Sequence, residues 1–558
     1  MDPRKPEVHM QILLDGQSLM LEEGARYLDA VEALYQDGAR RVLGVRVGGL
    51  TLPLEARVLD GQHATGLTVY TEEGRRIYER SLRFVLLLAM RALYPNARVR
   101  LENATHLGLY LTVQGETMSE SSAEAIEQAM REIIARDLPY EKTVITRTEA
   151  IELFRAEGEM DKVRLLTYRP YEQFQLYRCE GMLEYFYGEM APSTGYTQVF
   201  ALRLHSPGLE LQLPDPENPQ VPAPFHESPM LMKTFAETSG WARILGCTNL
   251  ADLNEMTIHR SLREFIRVNE ALHEKSISDV ADAFVASGAQ LILIAGPSSS
   301  GKTTFAHRLS IQLRVRGLKP VKVSLDDYYL DHDVLPLEED GRPDLERLET
   351  LDVPLFNRQL SELLRNAPVD MPTFDFSTGK RAPSTHRMQI SPDQPIIVEG
   401  IHALNDRLTR EIPRARKFLI YVSALTTVNL DDHNRVRTTE LRLLRRMVRD
   451  YQFRGASCAE TMDMWDSVRN GERNYIFPYQ EHADVMFNTT LLYEVAVLKK
   501  YAYPMLMAIT PESPHYTRAH RLIKFLNYVQ SADVEDEIPI NSILREFIGG
   551  CCFYREED

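Results

Sequence analysis

The chain has 558 residues, 80 acidic and 64 basic side chains for a net charge of −16, and 44% hydrophobic against 26% charged residues. That composition excludes wholesale disorder and supplies several cores, while the acidic balance argues against bulk, sequence-blind nucleic-acid binding, which needs many phosphate-neutralising cations. The longest apolar stretch, residues 84–90, is far below the ~20 residues of a membrane span, the start (MDPRKPEVHM) has no apolar signal core, and five irregularly spaced cysteines fit a reducing compartment, so a soluble cytoplasmic protein without membrane contact is expected.

No repeat of 20–50 residues is present, so boundaries come from pattern. An alternating run at 8–14, an Asp15-Gly16 turn, a helix near 27–37 and strands from 41 onward predict a β-grasp-like module over residues 1–65. A long helix from Thr71 (RRIYERSLRFVLLLAMRAL) stops at Pro95; strands at 99–101 and 108–113 and a helix over 119–136 then predict an α+β domain over 66–213. The stretch PDPENPQVPAPFHESP, 214–229, holds too many prolines for helix or central strand and reads as a linker. Helical text over 230–288 forms a connector. Strand-like runs at 290–295, 321–325, 395–398 and 418–422 then alternate with helices, which predicts an α/β domain with a doubly wound parallel sheet over 289–510. The segment 511–558 carries HRLIKFLNYV and IPINSILREFIGG, whose apolar spacing suits docking against a neighbouring domain or subunit. His515 and His520 lack companion ligands and are assigned no metal; Cys551 and Cys552 read as buried small side chains, with redox activity as the alternative.

The strongest signal is GPSSSGKTT: Gly296, Pro297, Ser298, Ser299, Ser300, Gly301, Lys302, Thr303 and Thr304. It satisfies G-x-x-x-x-G-K-[ST] between a strand and a helix, a pattern expected by chance in on the order of one such chain in a hundred. Backbone N–H groups there turn onto phosphate oxygens, the helix N-terminus adds its dipole, Lys302 reaches the β- and γ-phosphates, and Thr303 is placed to ligate Mg²⁺. A loop that merely caps a helix is the bland reading. Asp326 and Asp327 end the next strand at the same sheet edge, where a carboxylate can orient an acceptor hydroxyl and approach a metal. Glu399, after the apolar run in IIVEGIHAL, has the Walker B arrangement. A single acid at a strand end is as often a helix cap; three phosphate-chemistry signals in order make coincidence a poor account. Arg435, Arg437, Arg442, Arg445, Arg446, Arg449 and Arg454 crowd one helical stretch. Arg446 and Arg449 share a face that can close over phosphates, although a solvated, salt-bridged face is the ordinary reading of such a run.

With GPSSSGKTT, DDYY, LDVPLFN, FDFSTGKR, VEGIHAL and RRMVRDYQFRG in this order, residues 290–503 resemble the uridine kinase and phosphoribulokinase family of P-loop kinases. The resemblance implies ATP and Mg²⁺ as cofactors, Asp326 as the base facing a nucleoside 5′-hydroxyl, and Thr303, Asp326 and Glu399 around Mg²⁺. It further implies that Asp352 bonds the ribose hydroxyls, that Arg446, Arg449 and Arg454 serve phosphate and ribose, and that Tyr329 lines the base pocket. Where uridine kinases read YDFVTHSR, Phe374 replaces a base-contacting tyrosine and Gly379 a histidine that recognises the pyrimidine edge; Ala456 replaces an arginine after the lid. Loss of donors from a base pocket shifts selectivity.

The N-terminal half resembles threonyl-tRNA synthetase: a TGS-like module, then an editing-type domain, on the order of elements, RSLRFVLLLAMRALYP and LYRCEGMLEYFYGEMAPSTG. The positions that carry that domain's metal-type cluster are here Arg80, Phe84, Phe186 and Met190, which cannot act as imidazole or thiolate ligands, so hydrolytic editing is not expected; Cys179 is out of register and reads as structural. This half is expected to be a scaffold that makes the kinase a homo-oligomer, with tRNA binding open but unsupported by charge. The expected activity is ATP- and Mg²⁺-dependent phosphoryl transfer to the 5′-hydroxyl of a small-molecule nucleoside. A kinase of a sugar phosphate or other small hydroxyl compound and a nucleotide-dependent tRNA-binding regulator stand as the alternatives.

Overall fold

In the computed structural model, which describes residues 9–105, 107–335, 344–375 and 378–554, the first alternating run forms the strand His9–Leu14. Met10, Ile12 and Leu14 point inward, and the strand pairs antiparallel with Gln17–Glu22 and parallel with His63–Leu67; Val8 lies outside the described residues. Gly44–Val47 and Leu50–Leu52 complete a five-stranded sheet beside the helix Tyr27–Tyr35. That helix stops before the expected 37 because Gln36 adopts φ 48°, and a 3₁₀ turn, Gln36–Arg41, delays the next strand to Gly44.

Thr71 accepts a hydrogen bond from the Gly74 N–H at 3.1 Å and caps the helix Glu72–Leu93, an N-cap device worth about 1 kcal/mol. Its residues 84–90 are all buried. The helix Glu120–Ala135 packs against it, beside an antiparallel sheet ordered Ala201–His205, Gly208–Gln212, Gly108–Gln114 and Arg98–Ala104. A three-stranded sheet, Met182–Glu184, Gln173–Cys179 and Glu141–Thr146, follows. The helical text after the prolines resolves into three helices, Pro229–Ile244, Leu250–Ile258 and Leu262–Ser287, with Pro229 at the start of the first, where its missing N–H costs nothing.

The strands that follow form one parallel sheet ordered Val321–Ser324, Ile396–Glu399, Leu291–Ala295, Lys417–Ser423 and Val485–Asn488. Helices cover both faces, so Leu291 to Ala295 are buried throughout rather than alternating. Each large aliphatic side chain so buried contributes about 1.5–3 kcal/mol. The edge strand Val485–Asn488 lies beyond the runs expected from pattern. The arginine-rich stretch is not one helix. Residues 424–436 are buried and non-helical, the helix is Thr438–Phe453, and Arg435 and the half-buried Arg437 precede it.

One hydrophobic core runs without a break from Phe154 and Phe174, through Leu253 and Ile266, to Ile294, Leu444 and Phe547. Polar contacts bind the same halves. Leu101 N–H donates to the Asp432 carbonyl at 2.8 Å, Asn429 donates to the Leu101 carbonyl at 2.6 Å, and Tyr185 hydroxyl donates to Asp431 at 2.5 Å. The helix Tyr516–Leu526 docks within the chain, where Arg521 reaches Glu440 at 3.0 Å and Arg518 reaches Glu72 at 3.0 Å.

Candidate functional site

The phosphate loop leaves the strand Leu291–Ala295 and enters the helix Lys302–Val315 at the carboxyl edge of the sheet. A Cβ on Gly296 would lie 1.9 Å from the Val422 carbonyl oxygen, so only glycine lets the loop pass the neighbouring strand. Lys302 donates to the Pro297 carbonyl at 3.2 Å, curling the side chain over its own loop, and Thr303 stands in the first helical turn. Burial lowers the Lys302 ammonium despite Glu399, Asp326 and Glu546 nearby.

Asp326 and Asp327 do not end the strand, which stops at Ser324. They occupy a 3₁₀ turn, Leu325–Tyr328, that aims Asp326 into the cleft, while Asp327 accepts the Phe374 N–H at 3.3 Å. Ser324 hydroxyl donates to Glu399 at 3.3 Å. Burial raises the Asp326 carboxyl from its ordinary value; Lys302 opposes the rise and Asp327 adds to it. Burial, with Asp326 beside it, pushes Glu399 up to about 7 against the pull of Lys302. Glu346, which the sequence reading did not single out, is also raised by burial to about 7, with Arg446 and Lys302 opposing.

On the helix above, the arginines divide. Arg442 and Arg445 are fully buried and paired with Glu472 and Glu494; they also brace the loop, Arg442 Nε donating to the Ser298 carbonyl at 2.9 Å. Arg446 instead donates to Ser298 Oγ at 2.8 Å from the cleft side. Asp450 gathers Arg446 at 3.2 Å, Arg449 at 2.7 Å and the more exposed Arg454 at 3.7 Å. Asp450 lies within the quoted motif, four residues after Arg446, and that spacing is its sequence signal.

Beyond Asp326, Tyr329 and Phe374 are buried in one apolar cluster. Tyr329 hydroxyl donates to the Leu345 carbonyl at 3.2 Å, and its ring lies 5.7 Å from Phe374. Asp352 caps the helix Val353–Leu363 by accepting the Leu355 N–H at 3.0 Å, and pairs with Arg381 at 3.1 Å. Arg381, the last residue of FDFSTGKR, also donates to the Tyr329 carbonyl at 3.2 Å; Phe376 and Ser377 of that motif lie outside the described residues. Gly379 has φ +67°, and a Cβ there would fall 2.6 Å from His332 Nδ1. The His332 ring therefore fills the space of a side chain at 379. It lies 5.4 Å from Phe374, with Nε2 buried and unpartnered among the described residues. No local pattern pointed to His332, 47 residues earlier.

Of the synthetase-like positions, Phe84, Phe186 and Met190 belong to one apolar core, Phe84 meeting Phe186 edge-on at 6.0 Å and stacking on Tyr140 at 5.5 Å. Arg80 donates to the Glu189 carbonyl at 2.8 Å. Cys179 is buried in the same core, which pushes its thiol up to about 11; Cys551 is buried and Cys552 half-buried. His515 meets Asp463 at 2.7 Å and His520 stacks on Tyr516.

A loop of backbone amides at a helix start, one lysine and facing carboxylates at a parallel sheet edge serve the handling of phosphoryl groups, and fold and site together define a P-loop phosphotransferase. Residues 291–496 match the phosphoribulokinase / uridine kinase family. A uridine kinase of Chloroflexus aggregans (strain MD-66 / DSM 9485) is 32% identical over 198 residues, 35% of this chain and 85% of that protein. The chain belongs to the phosphoribulokinase / uridine kinase family. A threonine–tRNA ligase of Nitratidesulfovibrio vulgaris (strain DP4) is 30% identical over 197 residues in the N-terminal part, 35% of this chain; the chain spans only 30% of that ligase. A solved structure described as a possible uridine kinase from Bacillus stearothermophilus is 19% identical, covering 38% of this chain and 97% of its own, with a TM-score of 0.27. No helix among the described residues is long and apolar enough to cross a membrane.

Proposed function

We propose that the protein transfers the γ-phosphoryl group of ATP to the 5′-hydroxyl of a nucleoside. The observation that carries this reading is the meeting of Lys302, Asp326, Glu399 and Arg446 at the mouth of the phosphate loop, next to the paired rings of Tyr329 and Phe374. Two raised carboxyls with one lysine between them form a site short of positive charge, and hydroxyl and carboxylate oxygens are the donors Mg²⁺ takes alongside substrate phosphates. Thr303, Asp326 and Glu399 would hold it, where it would neutralise charge on the transferring group.

The chain's own residues do the rest. Loop amides and Lys302 fix the β- and γ-phosphates, and Arg446 and Arg449, held by Asp450, close over the charge that develops. Asp326, at the cleft beside the phosphate loop and with its carboxyl raised by burial, accepts the hydroxyl proton. Asp352, already oriented by the Leu355 N–H and Arg381, keeps free lone pairs for ribose hydroxyls. His332 in place of a side chain at 379 supports a base preference set by Nε2. The test is ATP consumption with Mg²⁺ over ribonucleosides, deoxyribonucleosides and sugar phosphates, each product checked for a 5′-monophosphate. Turnover of sugar phosphates alone would replace the nucleoside reading.

A further inference from the structure

Away from the phosphate loop, a cavity of about 80 Å³ lies where the strand Leu50–Leu52, the helix Glu72–Leu93 and the helix Tyr516–Leu526 meet. Four cations line it. Arg76 and Arg521 are spent on Glu440, at 2.9 and 3.0 Å, and on Glu72. Arg80 and Lys524 have no carboxylate partner among the described residues; Arg80 uses only Nε, on the Glu189 carbonyl. The Glu189 carboxylate is occupied by Lys142 at 2.9 Å and Tyr177 at 3.1 Å, which leaves Glu73 as the one other acid in the lining. Burial, with Arg83 and Arg76 near, holds the Arg80 guanidinium down to about 10, and burial lowers the Lys524 ammonium, with Lys142 and Arg80 adding to the effect. Two half-buried cations that line one cavity without a carboxylate partner among the described residues gain from an anion between them.

We propose that this cavity is a second binding site, for a small oxyanion, a carboxylate or phosphate group whose apolar body rests on Leu50, Tyr187 and Tyr516. Thermal unfolding of the full-length protein, saturated with ADP to fill the phosphate loop, is followed while inorganic phosphate or, separately, acetate is added. The expected result is a rise in Tm with at least one probe, which names the oxyanion, and at least about tenfold weaker binding in the Arg80→Gln/Lys524→Gln protein. If that protein does not fold, Lys524→Gln alone serves. No rise with either probe, or a rise that survives the substitutions, overturns the proposal.

A separate observation carries a second inference, which rests on the proposed function. The C-terminal segment crosses the phosphate loop. Thr304 hydroxyl donates to the Glu546 carboxylate at 2.6 Å and lies 3.4 Å from the Tyr554 hydroxyl, Phe553 stacks on His307 at 4.8 Å, and Ile543 leaves no space for a side chain at Gly301. The Glu546 charge is felt by Lys302, Glu399 and Arg454. We infer that this segment is an autoinhibitory strap whose carboxylate holds the Thr304 hydroxyl and repels nucleotide phosphates until they displace it. Equilibrium binding of ATP to full-length protein and to Glu546→Gln should show about tenfold tighter binding by the variant, as repulsion and one competing hydrogen bond are removed. A protein truncated after Ile548, which lacks Phe553 and Tyr554 but keeps Glu546, should bind ATP more tightly than the full-length protein and more weakly than Glu546→Gln. Equal or weaker ATP binding by Glu546→Gln overturns the strap and leaves the phosphate-loop reading standing; no ATP binding by either protein overturns both.

Discussion

Two regions bury carboxylates beside arginines or lysine, with opposite results. At the junction of the helices Glu72–Leu93, Thr438–Phe453 and Tyr516–Leu526, burial raises the Glu440 carboxyl, but Arg76, Arg521 and Arg437 outweigh it and hold the group below its ordinary value. At the loop mouth, burial and Asp326 outweigh Lys302, and Glu399 rises to about 7. Glu440 is fully buried and Glu399 half-buried at the edge of the cleft. What differs is whether the chain supplies the compensating charge. The junction is balanced internally and is architecture; the loop mouth is left short of cations, and that deficit is what a metal ion would fill.

The sharpest way to break this comparison is at the loop. Lys302→Ala should remove turnover, a loss on the order of 10³ or more, with thermal unfolding unchanged, as read by ATP consumption and circular dichroism. Asp326→Asn should lose about 10³ in transfer yet bind ATP nearly as the parent does; substantial transfer by this variant would sink the base assignment. The junction should fail differently. Glu440→Ala strands Arg76 and Arg521 and should cost about 3–5 kcal/mol in urea unfolding, with little change in turnover per folded molecule.

A pH series sharpens the contrast. The raised folded-state value of Glu399 means that folded protein holds a proton the unfolded chain has lost, so its contribution to stability is present below the ordinary glutamate value and lost as pH rises through about 7. Activity runs the other way, since charge-demanding steps need the carboxylate. The expected profile is an ATP kcat/KM that climbs with pH through about 7 and becomes flat and low in Glu399→Gln; a climb that persists in that variant would reassign the titration, with Glu346 next in line. The smallest effect belongs to His332→Ala, expected to change the ratio of kcat/KM between bases by about tenfold while leaving Lys302-dependent ATP binding intact.

Much of the kinase sheet was legible because its strands are short apolar runs bounded by turns, and the loop because its chemistry lies within nine contiguous residues. The arginine run shows the limit. Helical spacing puts Arg446 and Arg449 on one face, but only Glu472 and Glu494 reveal Arg442 and Arg445 as buried braces. Asp352 caps the helix Val353–Leu363 and pairs with Arg381, 29 residues further on, a partner that no local pattern joins to it.

By itself, the sequence determined the phosphate loop, the alternating order of strands and helices, the kinase family, and the synthetase-like character of the first half, because each is written in neighbouring residues whose backbone geometry and period are local. Tertiary structure alone decided that His332 occupies the space at Gly379, that Glu440 binds arginines from two distant helices, and that Glu546 lies on Thr304. Those partners are tens to hundreds of residues apart, and charge or hydrogen-bond pairing has no period along a chain; it exists only once packing has brought the groups together and removed the water between them.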